Sequence, residues 1–176
     1  MSRLFLALWP DADSRRALAA EAARLAPVCG GAPLPADNLH ITLAFLGRVD
    51  DARQATLRHL TADWSPPAGE WRLDRLGHFP GPRIVWAGGD IPAALMQWHD
   101  ALWRTLAAHG FTPPRKFIPH VSLVRGAERP APDYRLEHPV RWPFGRLTLV
   151  VSTPGEAGSR YRTLGRSRAP MAHDRD

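Results

Sequence analysis

Two short stretches of the sequence carry the same pair of chemically useful side chains. The first contains His40 and Thr42 and the second contains His120 and Ser122, so the two histidines lie 120 − 40 = 80 residues apart. Each pair sits where polar and apolar residues alternate, a pattern that is typical of a half-buried β-strand. Side chains two positions apart on a strand point to the same side, about 6.5–7 Å from each other. Each segment is therefore predicted to present an imidazole and a hydroxyl on one face.

The alternation also predicts which residues of the two segments face the core. In the first segment the predicted core face consists of Leu39, Ile41, Leu43 and Phe45, and Ala44 is predicted to share the opposite face with His40 and Thr42. In the second segment the predicted core face consists of Phe117, Pro119, Val121 and Leu123. Ile118 and Val124 are predicted to share the opposite face with His120 and Ser122.

Two histidines that converge on one site supply an acid and a base together. Imidazole has a pKa of about 6.5, so one neutral ring can take a proton from water while a protonated ring gives one to a leaving oxygen. Thr42 and Ser122 have no strong base beside them in the sequence and are interpreted as uncharged donors to phosphate oxygens. Hydrolysis of a phosphodiester needs this set of groups, and a strained cyclic phosphate needs the least help. The expected kinetic signature is a bell-shaped pH–rate profile.

A single histidine in a strand is usually structural, but the repetition of the same offset and hydroxyl partner favours a functional pair. The remaining histidines have no such company and are interpreted as surface or core residues: His59, His78, His99, His109, His138 and His173. The sequence has no His-Glu-x-x-His motif, paired thiolates or clustered carboxylates, so we expect no metal site and no cofactor. It also has no glycine-rich phosphate loop, which argues against a nucleoside triphosphatase.

Composition limits the class of protein. The chain has 176 residues, of which 44% are hydrophobic and 23% are charged, as in a soluble globular protein. No apolar run approaches the ~20 residues of a membrane span, and the apolar stretch 4–9 is too short for a signal peptide. Cys29, the only cysteine, excludes an intramolecular disulfide and fits a reducing cytoplasm. The net charge of +6 favours polyanions such as RNA but is weak support by itself.

The predicted elements alternate in type along the chain. Strands are predicted at 3–9, 39–45, 70–79, 83–87 and 117–123, with closing strands at 140–142, 146–152 and 160–165. A first helix is predicted to run to about Ala26, with Asp11, Asp13 and Ser14 as candidate N-caps. A second is opened by Asp50 and Asp51 and ends near 64–67, and a third runs from Pro92 to a C-cap at Gly110. Because each half contains one His strand, we expect a single bilobal domain at 1–168 and a mobile tail at 169–176.

The repeated motif and its surroundings resemble a known family. The chain resembles the 2H phosphoesterase superfamily, defined by two His-x-Thr/Ser-x motifs, and is similar to the RNA 2′,3′-cyclic phosphodiesterases, once described as 2′-5′ RNA ligases. The resemblance covers nearly the whole chain and is carried by residues 3–8, 38–47, 79–86, 115–123 and 158–161. One departure is Ser122 where Thr is usual, and it keeps the hydroxyl. Another is Thr153-Pro154 where the family tends to carry a basic residue, which leaves a substrate contact from that loop open.

This resemblance implies an α+β, bilobal fold in which two antiparallel β-sheets with flanking helices are related by pseudo-twofold symmetry around a central cleft. It implies metal-independent hydrolysis of RNA 2′,3′-cyclic phosphate ends to 2′-phosphates. By motif position, His40 is the proton donor and His120 the proton acceptor, although the nearly symmetric motifs leave these roles open. Thr42 and Ser122 would hold phosphate oxygens. Arg125 is a candidate for neutralising the phosphate, with an ordinary surface arginine as the alternative.

Other interpretations stay open at this point. Phe5, Phe45 and Phe117 could stack on a base, although core packing is favoured for each. The substrate could instead be another cyclic phosphate or a 2′-5′ linked nucleotide, including ligation in reverse. The chain could also be a non-catalytic RNA-binding module that kept the cleft. We expect a cytoplasmic monomer whose partner is an RNA or oligonucleotide with a 2′,3′-cyclic phosphate end, and no membrane association.

Overall fold

The computed structural model describes residues 2–156 and 158–170. The predicted tail at 169–176 therefore falls largely outside the described residues. Nine strands and three α-helices follow one another within the described ranges. In chain order they are β1 (Ser2–Leu8), α1 (Ala12–Cys29), β2 (Ala32–Pro33), β3 (Ile41–Val49), α2 (Asp51–Asp63), β4 (Glu70–Phe79), β5 (Ile84–Gly88), α3 (Ala93–Ala108), β6 (Val121–Arg125), β7 (Arg135–Pro143), β8 (Leu147–Gly155) and β9 (Gly158–Arg166).

The helices begin where the sequence places their caps. The Asp11 carboxylate accepts a hydrogen bond from the Ser14 backbone N–H at 2.8 Å, and the Asp50 carboxylate accepts one from the Arg53 backbone N–H at 2.8 Å. Both bonds satisfy amide groups that the first turn of a helix leaves without partners. α1 runs three residues past the predicted end, to Cys29, and Gly30 closes it with a φ of 74°.

All strand pairs are antiparallel, and the sheet has two halves. The first half has the order β3-β1-β8-β9, and the second has the order β6-β5-β4-β7 with β2 beside β6. The halves join where Ile41 of β3 pairs with Val121 of β6, the one residue pair between these strands. The predicted α+β architecture is confirmed, with the difference that the two expected sheets are joined at this pair into one nine-stranded sheet.

The connections of the two halves match each other. In the first half β1 leads through α1 into β3, and in the second half β5 leads through α3 into β6. The helices are exchanged between the halves, because α1 packs on β6 and β7, and Trp103 of α3 donates a hydrogen bond from Nε1 to the Leu43 carbonyl of β3 at 3.3 Å. The helices cover one face of the sheet and leave a cleft on the other. No helix among the described residues is long and apolar enough to cross a membrane.

Candidate active site

The two His-x-hydroxyl motifs meet at the junction of the two halves. His40 and His120 each come immediately before the strand that bears their motif, β3 and β6. Ile41 and Val121 pair there, and both side chains are fully buried in the core. Residues flanking an antiparallel pair point to the other face, about 4.5–5.5 Å from their cross-strand neighbours. The residues on either side of this pair, His40 and Thr42 in one strand and His120 and Ser122 in the other, therefore lie on the face opposite the core, where they line one cavity.

A β-bulge follows the hydroxyl residue in both motif strands. In β3 the register passes from Ala7↔Thr42 to Leu6↔Ala44 and leaves Leu43 unpaired. In β6 it passes from Trp86↔Ser122 to Val85↔Val124 and leaves Leu123 unpaired. Each bulge therefore buries two consecutive apolar residues and returns the residue after them to the cleft face.

The bulges correct the predicted faces of three residues. Ala44, predicted on the face of His40, is buried because the bulge at Leu43 turns it to the core. Phe45 is 72% exposed on the cleft side rather than part of the core, because the bulge at Leu43 reverses the alternation. Val124, predicted on the face of His120, is fully buried for the corresponding reason. Phe45 and Arg125 occupy matching positions, five residues after their histidines. The two motifs thus have matching backbones, but an aromatic ring follows the first motif and a cation follows the second.

All five residues singled out from the sequence line one cavity of about 620 Å³, here called the histidine cavity. They are His40, Thr42, His120, Ser122 and Arg125. Phe5 and Phe45 line the same cavity, whereas Phe117 stacks on His99 with ring centroids 3.7 Å apart, outside the cavity lining. Thr153 and Pro154 do not line it, although the neighbouring Ser152 does.

His40 is held by a hydrogen bond and by three aromatic rings. Its Nδ1 lies 2.7 Å from the Asn38 carbonyl oxygen, which can only accept, so Nδ1 carries a proton and Nε2 is left for the cavity. Nε2 lies 3.0 Å from Thr42 Oγ1. The rings around the imidazole are a stacked Trp9 at 5.1 Å, Phe5 at 5.1 Å and the edge of Tyr161 at 5.4 Å.

This packing makes His40 hard to protonate. Burial is the main reason that its pKa is lowered from 6.5 to about 4; the hydrogen bond to the Asn38 carbonyl opposes this shift, and the nearby His120 contributes to it. The same burial raises the pKa of Tyr161. The ring of His40 is therefore neutral at pH 7 in the ligand-free protein.

His120 has a matching environment built from other residues. Its Nδ1 lies 2.8 Å from the Ile118 carbonyl oxygen, the same two-residue offset as in the first motif. The edge of Phe79 packs at 5.0 Å and Trp86 at 5.9 Å. Burial lowers the pKa of His120 as well. Trp86 takes this position because Gly77 lies opposite it on β4, where an added Cβ would fall 2.1 Å from the indole.

Arg125 has room at the cavity because of a second glycine. Gly158 opens β9 with a φ of 117°, and a Cβ there would fall 2.7 Å from Nη1 of Arg125. The guanidinium is thereby placed at the same cavity as the two imidazoles rather than on a distant surface. Within 2–156 and 158–170, no group of three or more His, Cys, Asp or Glu side chains could hold a metal ion.

Sequence reasoning missed the aromatic residues that surround the two imidazoles. Trp9, Tyr161, Phe79 and Trp86 come from four different places in the chain and gave no shared pattern. Two signals were available: Phe79, Trp86 and Tyr161 lie in segments that carry the family resemblance, and the sequence is rich in tryptophan, with seven in 176 residues. Together, the site residues can exchange protons at two Nε2 atoms, donate hydrogen bonds from two hydroxyls and place one guanidinium beside an anion.

Comparisons with known proteins agree on one family. The family model of the 2′-5′ RNA ligase superfamily matches residues 9–156. The RNA 2′,3′-cyclic phosphodiesterase of Escherichia coli (strain K12) is 33% identical over 170 residues, which covers 93% of this chain and 94% of that protein. A crystal structure of E. coli LigT complexed with 3′-AMP is similar with a TM-score of 0.84 at 30% identity, covering 97% of this chain and 99% of the other. A crystal structure described as a phosphoesterase is similar with a TM-score of 0.86, also at 30% identity and with 97% and 99% covered.

Proposed function

The chain belongs to the 2′-5′ RNA ligase superfamily, and from its histidine cavity we propose that it hydrolyses RNA 2′,3′-cyclic phosphate ends to 2′-phosphates. The proposal takes the reaction from relatives that are RNA 2′,3′-cyclic phosphodiesterases and span nearly the whole chain. The main support is the pairing of Ile41 with Val121, which places the two His-x-hydroxyl motifs on antiparallel strands beside one cavity.

The arrangement suits an in-line displacement at phosphorus. In such a reaction the attacking water and the departing O3′ lie on opposite sides of the phosphorus atom. The pseudo-twofold relation of the motifs supplies one imidazole Nε2 to each side. His120 Nε2 takes a proton from the water as its oxygen bonds to phosphorus. The P–O3′ bond breaks, and His40 gives its Nε2 proton to O3′, leaving a 2′-phosphate and a free 3′-hydroxyl.

His40 needs a proton before it can act as the acid. With its pKa lowered from 6.5 to about 4, the protonated form is disfavoured by about 3 kcal/mol relative to a solvated imidazole. The negative charge of a bound phosphodiester acts in the opposite direction and raises the pKa. Binding of the substrate anion is therefore coupled to the uptake of one proton from solvent by His40, and the ring is charged mainly when a phosphate is present to accept its hydrogen bond.

The remaining cavity residues bind the phosphate. Thr42 Oγ1, which lies 3.0 Å from His40 Nε2, and the Ser122 hydroxyl are donors to the two non-bridging oxygens. Arg125 adds a positive charge at the cavity wall. None of these groups has to gain or lose a proton, so they stabilise the charge that develops on the oxygens as attack proceeds.

The first test removes each histidine in turn. His40→Ala and His120→Ala should each lower kcat on an oligonucleotide with a 2′,3′-cyclic phosphate end by at least about 10²-fold, since each supplies one proton transfer. His59→Ala, an exposed position on α2, is the matched control and should keep full activity. Product is identified as the 2′-phosphate by ³¹P NMR, and EDTA should not change the rate. Full activity in either cavity variant would refute the mechanism.

A second test assigns the acid. A substrate analogue with sulfur in place of the bridging O3′ has a leaving group that needs no protonation. The analogue should restore most of the rate to the variant that lacks the acid, which we propose is His40→Ala, and should not restore His120→Ala. Rescue of His120→Ala alone would exchange the two roles. Turnover of 2′-5′ dinucleotides with a higher kcat/KM than the cyclic substrate would favour a different substrate for the same pair.

Cellular context completes the proposal. We infer a monomer that acts on RNA ends in the cytoplasm, consistent with the one cysteine, Cys29, being a buried free thiol. Sedimentation of the purified protein tests the monomer directly.

A further inference from the structure

A second cavity lies behind Trp9 and is rich in arginine. It has a volume of about 440 Å³ and is here called the arginine cavity. Its lining residues are Trp9, Arg15, Asp37, Arg146, Thr148, Thr163 and Arg166. Trp9 stands between the two cavities, because its ring stacks on His40 with an interplanar angle of 18°. The arginine cavity therefore begins one aromatic ring away from the proposed acid.

The charge of this cavity is poorly compensated. Three guanidinium groups face one carboxylate, and Arg15 Nη1 and Asp37 Oδ1 are 4.0 Å apart with the Asp37 side chain 94% exposed. Nε of Arg15 is buried and has no hydrogen-bond partner among the described residues. Arg146 and Arg166 make no ion pair within the described ranges, unlike Arg24, Arg75 and Arg141, which pair with carboxylates. Together with the hydroxyls of Thr148 and Thr163, these groups suit an anion with several oxygens.

The two cavities share one face of the sheet. Thr148 of β8 pairs with Arg166 of β9 and with Ala7 of β1, and two residues further along β8 Val150 pairs with Phe5 and Thr163. Phe5, Ala7 and Val150 form a small apolar cluster, with Trp9 and Tyr161 packed against it. This cluster lies between the histidine cavity and the arginine cavity. The cluster itself is buried, and the partly exposed rings of Trp9 and Tyr161 cover it, so an RNA strand that leaves the histidine cavity along these rings meets the positive charge of the arginine cavity.

We propose that the arginine cavity binds the phosphodiester backbone of RNA on the 5′ side of the cyclic end. This inference rests on the proposed function, because the cyclic phosphate in the histidine cavity fixes where the strand begins. A 2′,3′-cyclic phosphate occurs only at a 3′ end, so the rest of the strand must leave the cavity in the 5′ direction. Backbone phosphates bind arginine without regard to sequence and release counterions as they do. The enzyme thereby prefers an RNA end to a free cyclic nucleotide.

The test compares the activity of the wild type and of two double variants on a short and a long substrate. Arg146→Gln/Arg166→Gln is assayed on a 2′,3′-cyclic mononucleotide and on an oligonucleotide of about ten nucleotides with the same end. For the oligonucleotide we expect kcat/KM to fall about tenfold through KM, and the slope of log KM against log salt concentration to fall by about 1 for each arginine–phosphate ion pair removed. For the mononucleotide we expect no change. Arg58→Gln/Arg104→Gln removes the same charge from exposed positions on α2 and α3 outside both cavities and should behave as wild type.

Three kinetic outcomes overturn the proposal. An unchanged oligonucleotide KM, or an equal loss on both substrates, shows that the arginines do not hold the strand. An equal loss in the Arg58→Gln/Arg104→Gln control shows a general effect of charge. If the wild type turns over neither substrate, the proposed function fails. Fluorescence anisotropy of a 3′-phosphorylated oligonucleotide with the same variants then tests separately whether the arginine cavity binds RNA; equal affinity for wild type and Arg146→Gln/Arg166→Gln overturns the proposal. Competition by polyglutamate without RNA binding would assign the cavity to an acidic protein.

Discussion

Replacing His40 should make the fold less sensitive to acid. In the folded protein the pKa of His40 is lowered from 6.5 to about 4 by burial, whereas in the unfolded chain the ring is solvated. Between these two values the unfolded state binds a proton that the folded state does not, so acid favours unfolding. The contribution of His40 to stability is complete above the unfolded pKa and is lost as the pH falls from 6.5 towards 4. His40→Asn removes the titration and can keep the hydrogen bond to the Asn38 carbonyl.

The size of the effect follows from the two pKa values. A shift from 6.5 to about 4 corresponds to about 3 kcal/mol once the pH is well below both. Between about pH 7.5 and about pH 5, the linkage relation gives a loss of about 2 kcal/mol in the free energy of unfolding. That amount is a large fraction of the stability of an ordinary domain, which is about 5–15 kcal/mol.

The assay is urea unfolding of wild type and His40→Asn at these two pH values. His99 and His120 also have pKa values lowered by burial, so they contribute to the pH dependence of both proteins and cancel in the difference. The wild type should lose about 2 kcal/mol more than the variant on acidification. His59→Asn, exposed on α2, should lose as much as the wild type. Equal losses in wild type and His40→Asn would refute the lowered pKa of His40, and with it the proposal that substrate binding is coupled to proton uptake by this ring.

Three further predictions concern catalysis. Because burial lowers the pKa of both His40 and His120 in the free protein and a bound phosphate raises them, the pH optimum of kcat should lie above that of kcat/KM; coincident optima in steady-state kinetics would contradict this. Gly77→Ala should displace the Trp86 indole from His120 and lower kcat while the protein stays folded by circular dichroism; an unchanged kcat would show that the indole does not position the ring. Phe45→Ala should leave the melting temperature nearly unchanged, since the ring is 72% exposed. It should raise KM about tenfold because the ring is expected to stack on the terminal base, and an unchanged KM would show that Phe45 does not contact the base.

The sequence pattern predicted an element of structure correctly where the signal lies in residues close together in the chain. The caps at Asp11 and Asp50, the hairpin of β4 and β5, and the helix after Pro92 are confirmed, because capping, turns and helical periodicity each act over a few positions. Strand alternation held only as far as the hydroxyl of each motif. Beyond it, the bulges at Leu43 and Leu123 depend on the register of the neighbouring strands β1 and β5, which the motif segment itself does not encode.

The sequence by itself determined the chemical groups of this protein: two imidazoles, two hydroxyls and an arginine at matching offsets, with no thiolate or carboxylate cluster beside them. Only the tertiary structure decided how these groups work together. Pairing of Ile41 with Val121 brings motifs 80 residues apart to one cavity, and the bulges turn Phe45 and Arg125 into it. The pKa of His40 likewise depends on Trp9, Phe5 and Tyr161, which come from both ends of the chain. Desolvation is a property of everything that surrounds a ring, so the acidity of these histidines arises only when the fold has closed around them.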